Sequence, residues 1–164
     1  MTGTLGIFRP MAKTVTTQTE LIESLSDFFK DRADDYEIDM AFLYGSRAQG
    51  FPRFDSDLDV AVLFGRRDLS EEESFARILD ISFSLVSLLK MEVNVLQIHD
   101  DFRKPMLYYN VIVMGLPVYT RTDAQFLALR NEAIFHMEDF GIFGLGWQYE
   151  VAKRNLEFVA NGRV

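Results

Sequence analysis

The chain of 164 residues has no cysteine, one tryptophan, two histidines and four prolines. Without thiols there can be no disulfide, no thiolate metal site and no thiol nucleophile, so a metal would have to be held by oxygen or imidazole, which favours hard cations. Basic residues are also scarce: 17 Lys and Arg stand against 25 Asp and Glu, for a formal charge of −8. Surfaces that follow a phosphate backbone draw their affinity from clustered Lys and Arg, so an extended nucleic-acid interface is not expected, whereas a mononucleotide ligand remains open. Long apolar runs are missing as well, which leaves no candidate membrane span. The opening "MTGTLGIFRPMAKTVTTQTE" has neither a basic leader nor a clear cleavage site, and a soluble cytoplasmic protein is expected. With 48% apolar residues, the chain can bury one real core and is short for two domains.

Periodicity and punctuation divide the chain into a loose extension over 1–15, with Met11 as an alternative start, a core over 16–120, and C-terminal helices over 121–164 on the same domain. Thr17 and Glu20 form a capping box ahead of Leu21, Ile22, Leu25, Phe28 and Phe29, which predicts a helix to about residue 33. Strands are expected over 38–44, stopped by Gly45, and over 57–64, ended by Gly65. Ser70 and Glu73 form a second capping box and open a helix through Leu89, after which "MEVNVLQI" reads as a strand over 91–98. Pro105 suits the first turn of a short helix ending at Gly115, and "LPVYT" reads as an extended piece. A helix from Asp123 should stop near residue 139, where "FGIFGLG" interrupts the pattern, and a last helix should run over 147–159. This alternation is α/β (α+β) with a helical C-terminal third. Phe126, Met137, Phe140, Phe143, Trp147, Val151 and Phe158 are expected mostly as core, any exposed remainder serving self-association or a partner.

The stretch "LYGSRAQGFPRFDSDLDVAVLF" carries the chemistry. On a strand, Asp57 and Asp59 project to one side, roughly 7 Å apart along the backbone, and their repulsion in a cleft calls for a cation. Mg²⁺ suits such a site because it takes a few carboxylates, keeps waters and completes its shell with phosphate. In the preceding turn, Gly45 admits close approach of the backbone, and Ser46 can cap a following short helix whose N–H groups accept an anion. Arg47 or Arg53 can add positive charge. Glu92 and Asn94, two apart on the next strand, share a face.

Gly45-Ser46, ten residues from 47 to 56, then Asp57-Leu58-Asp59 on an apolar strand resembles the signature of the polymerase-β-like nucleotidyltransferase superfamily, above all its minimal nucleotidyltransferase (MNT) branch. The resemblance is strong over 38–64 and looser to about residue 120. It implies a small mixed sheet flanked by helices and an enzyme moving AMP from ATP to an acceptor hydroxyl, with two Mg²⁺ ions held by Asp57, Asp59 and a third carboxylate. Glu92 occupies the place of that third residue, usually Asp, and is the candidate base. Gly45, Ser46 and Arg47 would receive the triphosphate. The resemblance further implies an antitoxin that adds AMP to a tyrosine of a HEPN-type toxin. Two alternatives are an adenylyltransferase for a small hydroxylated molecule and an antitoxin acting by contact alone. Arg130 and His136 have the spacing of the HEPN ribonuclease motif, but six positions apart they lie far round a helix, and too little chain remains for a HEPN bundle.

Overall fold

The computed structural model describes residues 17–50 and 56–160. The expected extension over 1–15, Met11 and Arg53 lie outside the described residues. Helix α1 (Gln18–Tyr36) leads into strand β1 (Ile38–Tyr44), and β2 (Leu58–Phe64), α2 (Glu71–Leu89) and β3 (Val93–Gln97) follow. Helix α3 (Pro105–Tyr108) continues into a π-helical turn (Tyr109–Val113), ahead of β4 (Leu116–Thr120) and α4 (Asp123–Ala160).

Both capping boxes form. The Thr17 hydroxyl accepts from the Glu20 N–H and the Glu20 carboxylate accepts from the Thr17 N–H, both at 3.2 Å. Ser70 and Glu73 repeat this exchange at 3.1 and 3.0 Å. Each helix therefore begins with two of its otherwise unpaired donors satisfied. Lys90 closes α2 in the left-handed conformation, and its N–H returns to the Val86 carbonyl.

The four strands form one mixed sheet in the order β3-β2-β1-β4. Strand β1 runs antiparallel to both β2 and β4, while β2 and β3 are parallel and joined through α2. Alternation along the strands separates two cores. Leu58, Val60 and Val62 point with Leu25 and Phe29 of α1 and Ile81 and Leu85 of α2 into one. Met40, Phe42 and Ala61 point to the other, built with Val111, Ile112, Leu129 and Ala133 from the π turn and α4. The result is a three-layer domain with helices on both faces of the sheet.

At the C-terminus the structure differs from the sequence expectation in two respects. The "FGIFGLG" segment does not break α4, which is one helix of 38 residues. Glycine lowers helix propensity without forbidding the conformation, and the packed N-terminal half supplies a nucleus that the rest extends. Nor are Phe140, Phe143 and Trp147 core, being 44%, 71% and 69% exposed, whereas Phe126 packs on the second core as expected. Among the described residues α4 reaches the domain through its first half, by Phe126 against Phe42, buried Leu129 and Ala133, and His136 stacked on Phe102 at 4.6 Å. The side chain of Phe158 lies outside the described residues.

Candidate active site

The site forms where β1 ends and β2 begins. Gly45 takes a left-handed φ of 74°, and the next five residues are turns. The Gln49 N–H donates to the Gly45 carbonyl at 3.3 Å, so Ser46 opens a hydrogen-bonded turn rather than the expected short helix. Two contacts hold this turn. The amide of Gln18, in the first residue of α1, donates to the Arg47 carbonyl at 2.9 Å. The Arg47 guanidinium donates to the Ser56 carbonyl through Nε at 2.9 Å and Nη2 at 2.6 Å. Arg47 thereby fastens the start of the loop to the residue just before Asp57.

Strand alternation sends Asp57 and Asp59 to the same side of β2. Asp57 is exposed and Asp59 half-buried. Asp59 pairs with Tyr44 across the antiparallel ladder, and burial together with the Asp59 charge raises the Tyr44 phenol above its ordinary pKa. The Asp59 carboxylate also fills the room left by a missing side chain: a Cβ on Gly45 would stand 2.5 Å from Asp59 Oδ2. The glycine of the turn and the second aspartate are thus one steric unit, a dependence the spacing of the motif does not reveal.

The parallel register pairs Asp59 with Asn94 and Leu58 with Val93. Asn94 Nδ2 lies 3.3 Å from both Asp57 Oδ2 and Asp59 Oδ1. Two like charges therefore converge on one point, now held by the positive end of an amide dipole. Glu92 sits just before β3, where its carbonyl accepts from the Leu58 N–H at 2.9 Å, and its side chain is exposed. Among the described residues no three His, Asp or Glu side chains gather at metal-holding distances. Asn94 is the β3 residue joined to the aspartate pair; the sequence shows only that it shares a face with Glu92.

The donor set fits a hard cation. The two converging carboxylates supply anionic oxygen, and the Asn94 amide can offer its own oxygen by a half-turn about its last bond. Among the described residues, a cleft of about 390 Å³ lies elsewhere, at the β4 edge between Lys30, Val118, Asp123 and Phe126; it is two strands away from β2 and has no part in this arrangement. The His136 ring is stacked on Phe102 at 4.6 Å, and among the described residues no hydrogen bond joins it to Arg130.

Residues 23–124 match the model of the family described as Polymerase beta, Nucleotidyltransferase. The chain belongs to this family. The match includes the turn, both aspartates and β3, so the nucleotidyltransferase core is the domain that carries the site. No protein of curated function matches the sequence. Among solved structures, a chain of a toxin–antitoxin crystal structure with AMP-PNP superposes with a TM-score of 0.61 at 18% identity, covering 77% of this chain and 98% of its own. A chain of the MntA–HepT pair in a mutant form gives a TM-score of 0.61 at 16% identity, covering 84% of this chain and 99% of its own. A chain from a tri-AMPylated HEPN toxin of Shewanella oneidensis in complex with its MNT antitoxin gives 0.58 at 15% identity, covering 80% and 98%. At these identities the likeness is one of fold.

Proposed function

We propose that this nucleotidyltransferase is a Mg²⁺-dependent protein adenylyltransferase that moves AMP from ATP to a tyrosine hydroxyl of a HEPN-type toxin. The observation that carries the reading is the convergence of Asp57 and Asp59 on Asn94 Nδ2, at 3.3 Å each, beside the Gly45-Ser46 turn in a polymerase-β fold. Structural neighbours described with AMP-PNP and with a tri-AMPylated toxin support the nucleotide and the acceptor class.

Asp57 and Asp59 would hold Mg²⁺, two ions by the family pattern, with the Asn94 amide turned to present oxygen. Bound there, Mg²⁺ would neutralise the triphosphate and polarise the α-phosphorus. The turn from Gly45 to Arg47 would receive the phosphates, the Ser46 hydroxyl donating to one oxygen and Arg47 keeping the loop closed on Ser56. The acceptor oxygen attacks the α-phosphorus, the bond to the bridging oxygen of the β-phosphate breaks, and pyrophosphate leaves. The hydroxyl proton passes to a carboxylate. Glu92 is proposed for that role: it directly precedes Val93, the register partner of Leu58, its carbonyl accepts from the Leu58 N–H, and its exposed side chain can turn to an incoming hydroxyl.

The test is transfer of label from ATP with Mg²⁺ to the HEPN-type partner. Asp57→Asn and Asp59→Asn are each expected to lower the rate by roughly 10²-fold or more while leaving the fold intact, and Glu92→Gln to lower it comparably by loss of the base. A wild-type protein that binds its partner tightly, transfers nothing and is matched by all three variants would end the transferase reading and leave an antitoxin acting by contact.

A further inference from the structure

Helix α2 is apolar on two opposite sides. Ile81 and Leu85 enter the core beneath it. On the far side, roughly 140–180° round at 100° per residue, Phe75 is 62%, Leu79 39%, Phe83 69% and Val86 37% exposed. Glu72 and Lys90 continue that outer line at its two ends, and both are exposed. Between them the line carries no charged side chain over four turns, where a solvated helix face would carry several. Asp80, at its edge, is turned toward α1 and accepts from the Tyr36 hydroxyl at 2.7 Å. Among the described residues the side chains of Glu72 and Lys90 make no ion pair. A continuous outer stripe of this kind marks an interaction surface.

The order of the residues along the stripe identifies the partner. A two-fold axis across a helix pair brings two side chains together only if they lie at opposite heights from the axis and toward the same edge of the seam. With the axis at the level of Ile81, Glu72 and Lys90 of the other copy fall at one height and both on the centre line. Leu79 and Phe83 fall at one height and within about 40° of each other, and Phe75 comes within about 1.5 Å of height and about 20° of Val86. Each acid thus meets a base at the two ends, and apolar side chains meet one another between. The exposed parts of the four apolar side chains, with the stem of Lys90, amount to on the order of 1,000 Å² over two copies, the size at which specific interfaces begin.

We infer that α2 pairs antiparallel with α2 of a second copy of this chain, the two-fold axis passing at the level of Ile81. The inference stands independently of the transferase reading. Leu58, Val60 and Val62 serve the core beneath α2, whereas Ala61, on the same side of β2 as Asp59, serves the other, so the pairing leaves the candidate site of each copy uncovered.

The chain's lack of cysteine makes the test clean. In full-length protein, Glu72→Cys and Lys90→Cys variants mixed together should oxidise to a disulfide between one and the other, because the axis sets these two positions within the roughly 4.4–6.8 Å that a disulfide spans. Each variant alone places its two thiols about 27 Å apart and should stay uncross-linked. Sedimentation should show a dimer in the micromolar range, weakened on the order of tenfold or more by Phe83→Ser, which removes two aromatic anchors from one interface, and unchanged by Phe143→Ser on α4. Phe83 and Phe143 are exposed, so both variants should keep their circular dichroism. A monomer at about 100 µM, disulfides in either variant alone as readily as in the mixture, or a dimer indifferent to Phe83→Ser would overturn the inference. So would a dimer that Phe143→Ser dissociates instead, or a monomer whose Phe83→Ser variant loses a toxin partner, which would make this face a heterologous interface.

Discussion

At the scale of single residues, the site depends on contacts too short to tolerate an added atom. Gly45 combines a φ of 74° with a space that Asp59 Oδ2 already fills, 2.5 Å from where a Cβ would be. Gly45→Ala is therefore expected to lose about 1–2 kcal/mol of stability from the left-handed backbone and, in addition, to push the Asp59 carboxylate aside. Denaturant unfolding should show the modest loss, while calorimetry should find Mg–ATP affinity reduced as far as in Asp59→Asn. Retention of wild-type affinity would separate the glycine from the aspartate and remove the steric unit. Asn94 offers a second test. Asn94→Asp adds a third negative charge where the amide now lies 3.3 Å from two carboxylates. Without divalent cations the variant should be less stable by about 1 kcal/mol or more. With Mg²⁺ the sign should reverse, the melting temperature rising further than in wild type because three carboxylates bind a hard cation better than two. Thermal denaturation with and without Mg²⁺ measures both halves, and no Mg²⁺ response in either protein would count against a cation at this point.

At the scale of elements, local signals specify starts and periods well and ends less well. The two capping boxes and the strand over Ile38–Tyr44 agree with the sequence reading. Strand β3 is shorter than expected, Val93–Gln97, because strand length is set by the neighbour that supplies hydrogen bonds. Helix α4 shows the same limit from the other side. Its three central glycines read as a break, yet each costs only about 1 kcal/mol relative to alanine, and a helix already nucleated by Leu129 and Ala133 extends through them. Gly144→Ala is accordingly expected to stabilise the C-terminal half by about 1 kcal/mol, since the new methyl group meets no atom within 4 Å and gains helix propensity. Amide exchange over 140–150 should slow roughly fivefold. Faster exchange would show that the glycine serves a contact on that side of the helix.

At the scale of the whole molecule, one sheet carries two cores. Leu85 is fully buried on the face covered by α1 and α2, and Ile112 is 1% exposed on the face covered by the π turn and α4. Because Leu58 and Val60 serve one face and Ala61 the other along the same strand, neither core can melt without disturbing the ladder they share. Leu85→Ala and Ile112→Ala are each expected to cost about 2–5 kcal/mol within a single unfolding transition. Fluorescence and circular dichroism followed through the same denaturant series should coincide in both variants; separated transitions would show two independent units. Among the described residues no helix is long and apolar enough to cross a membrane.

The sequence alone determined what depends on short covalent spacing. The capping boxes operate over three residues, the strand period places Asp57 and Asp59 on one side, and the absence of thiols narrows the metal class to hard cations. The Gly-Ser turn and its distance from the aspartates were legible for the same reason. Only the tertiary structure decided what depends on register and packing between distant segments. Asn94 reaches the aspartates across 35 residues of sequence because β3 pairs parallel to β2 in one register, and a one-residue slip would turn its side chain to the other face. Asp59 fills the space beside Gly45 because β1 and β2 pair with Tyr44 opposite Asp59. The exposure of Phe143 and Trp147 was likewise a tertiary outcome. Hydrophobicity states how strongly a side chain is driven from water, but among the described residues the domain buries only side chains from the first half of α4, so Phe143, Trp147 and Tyr149 stay outside.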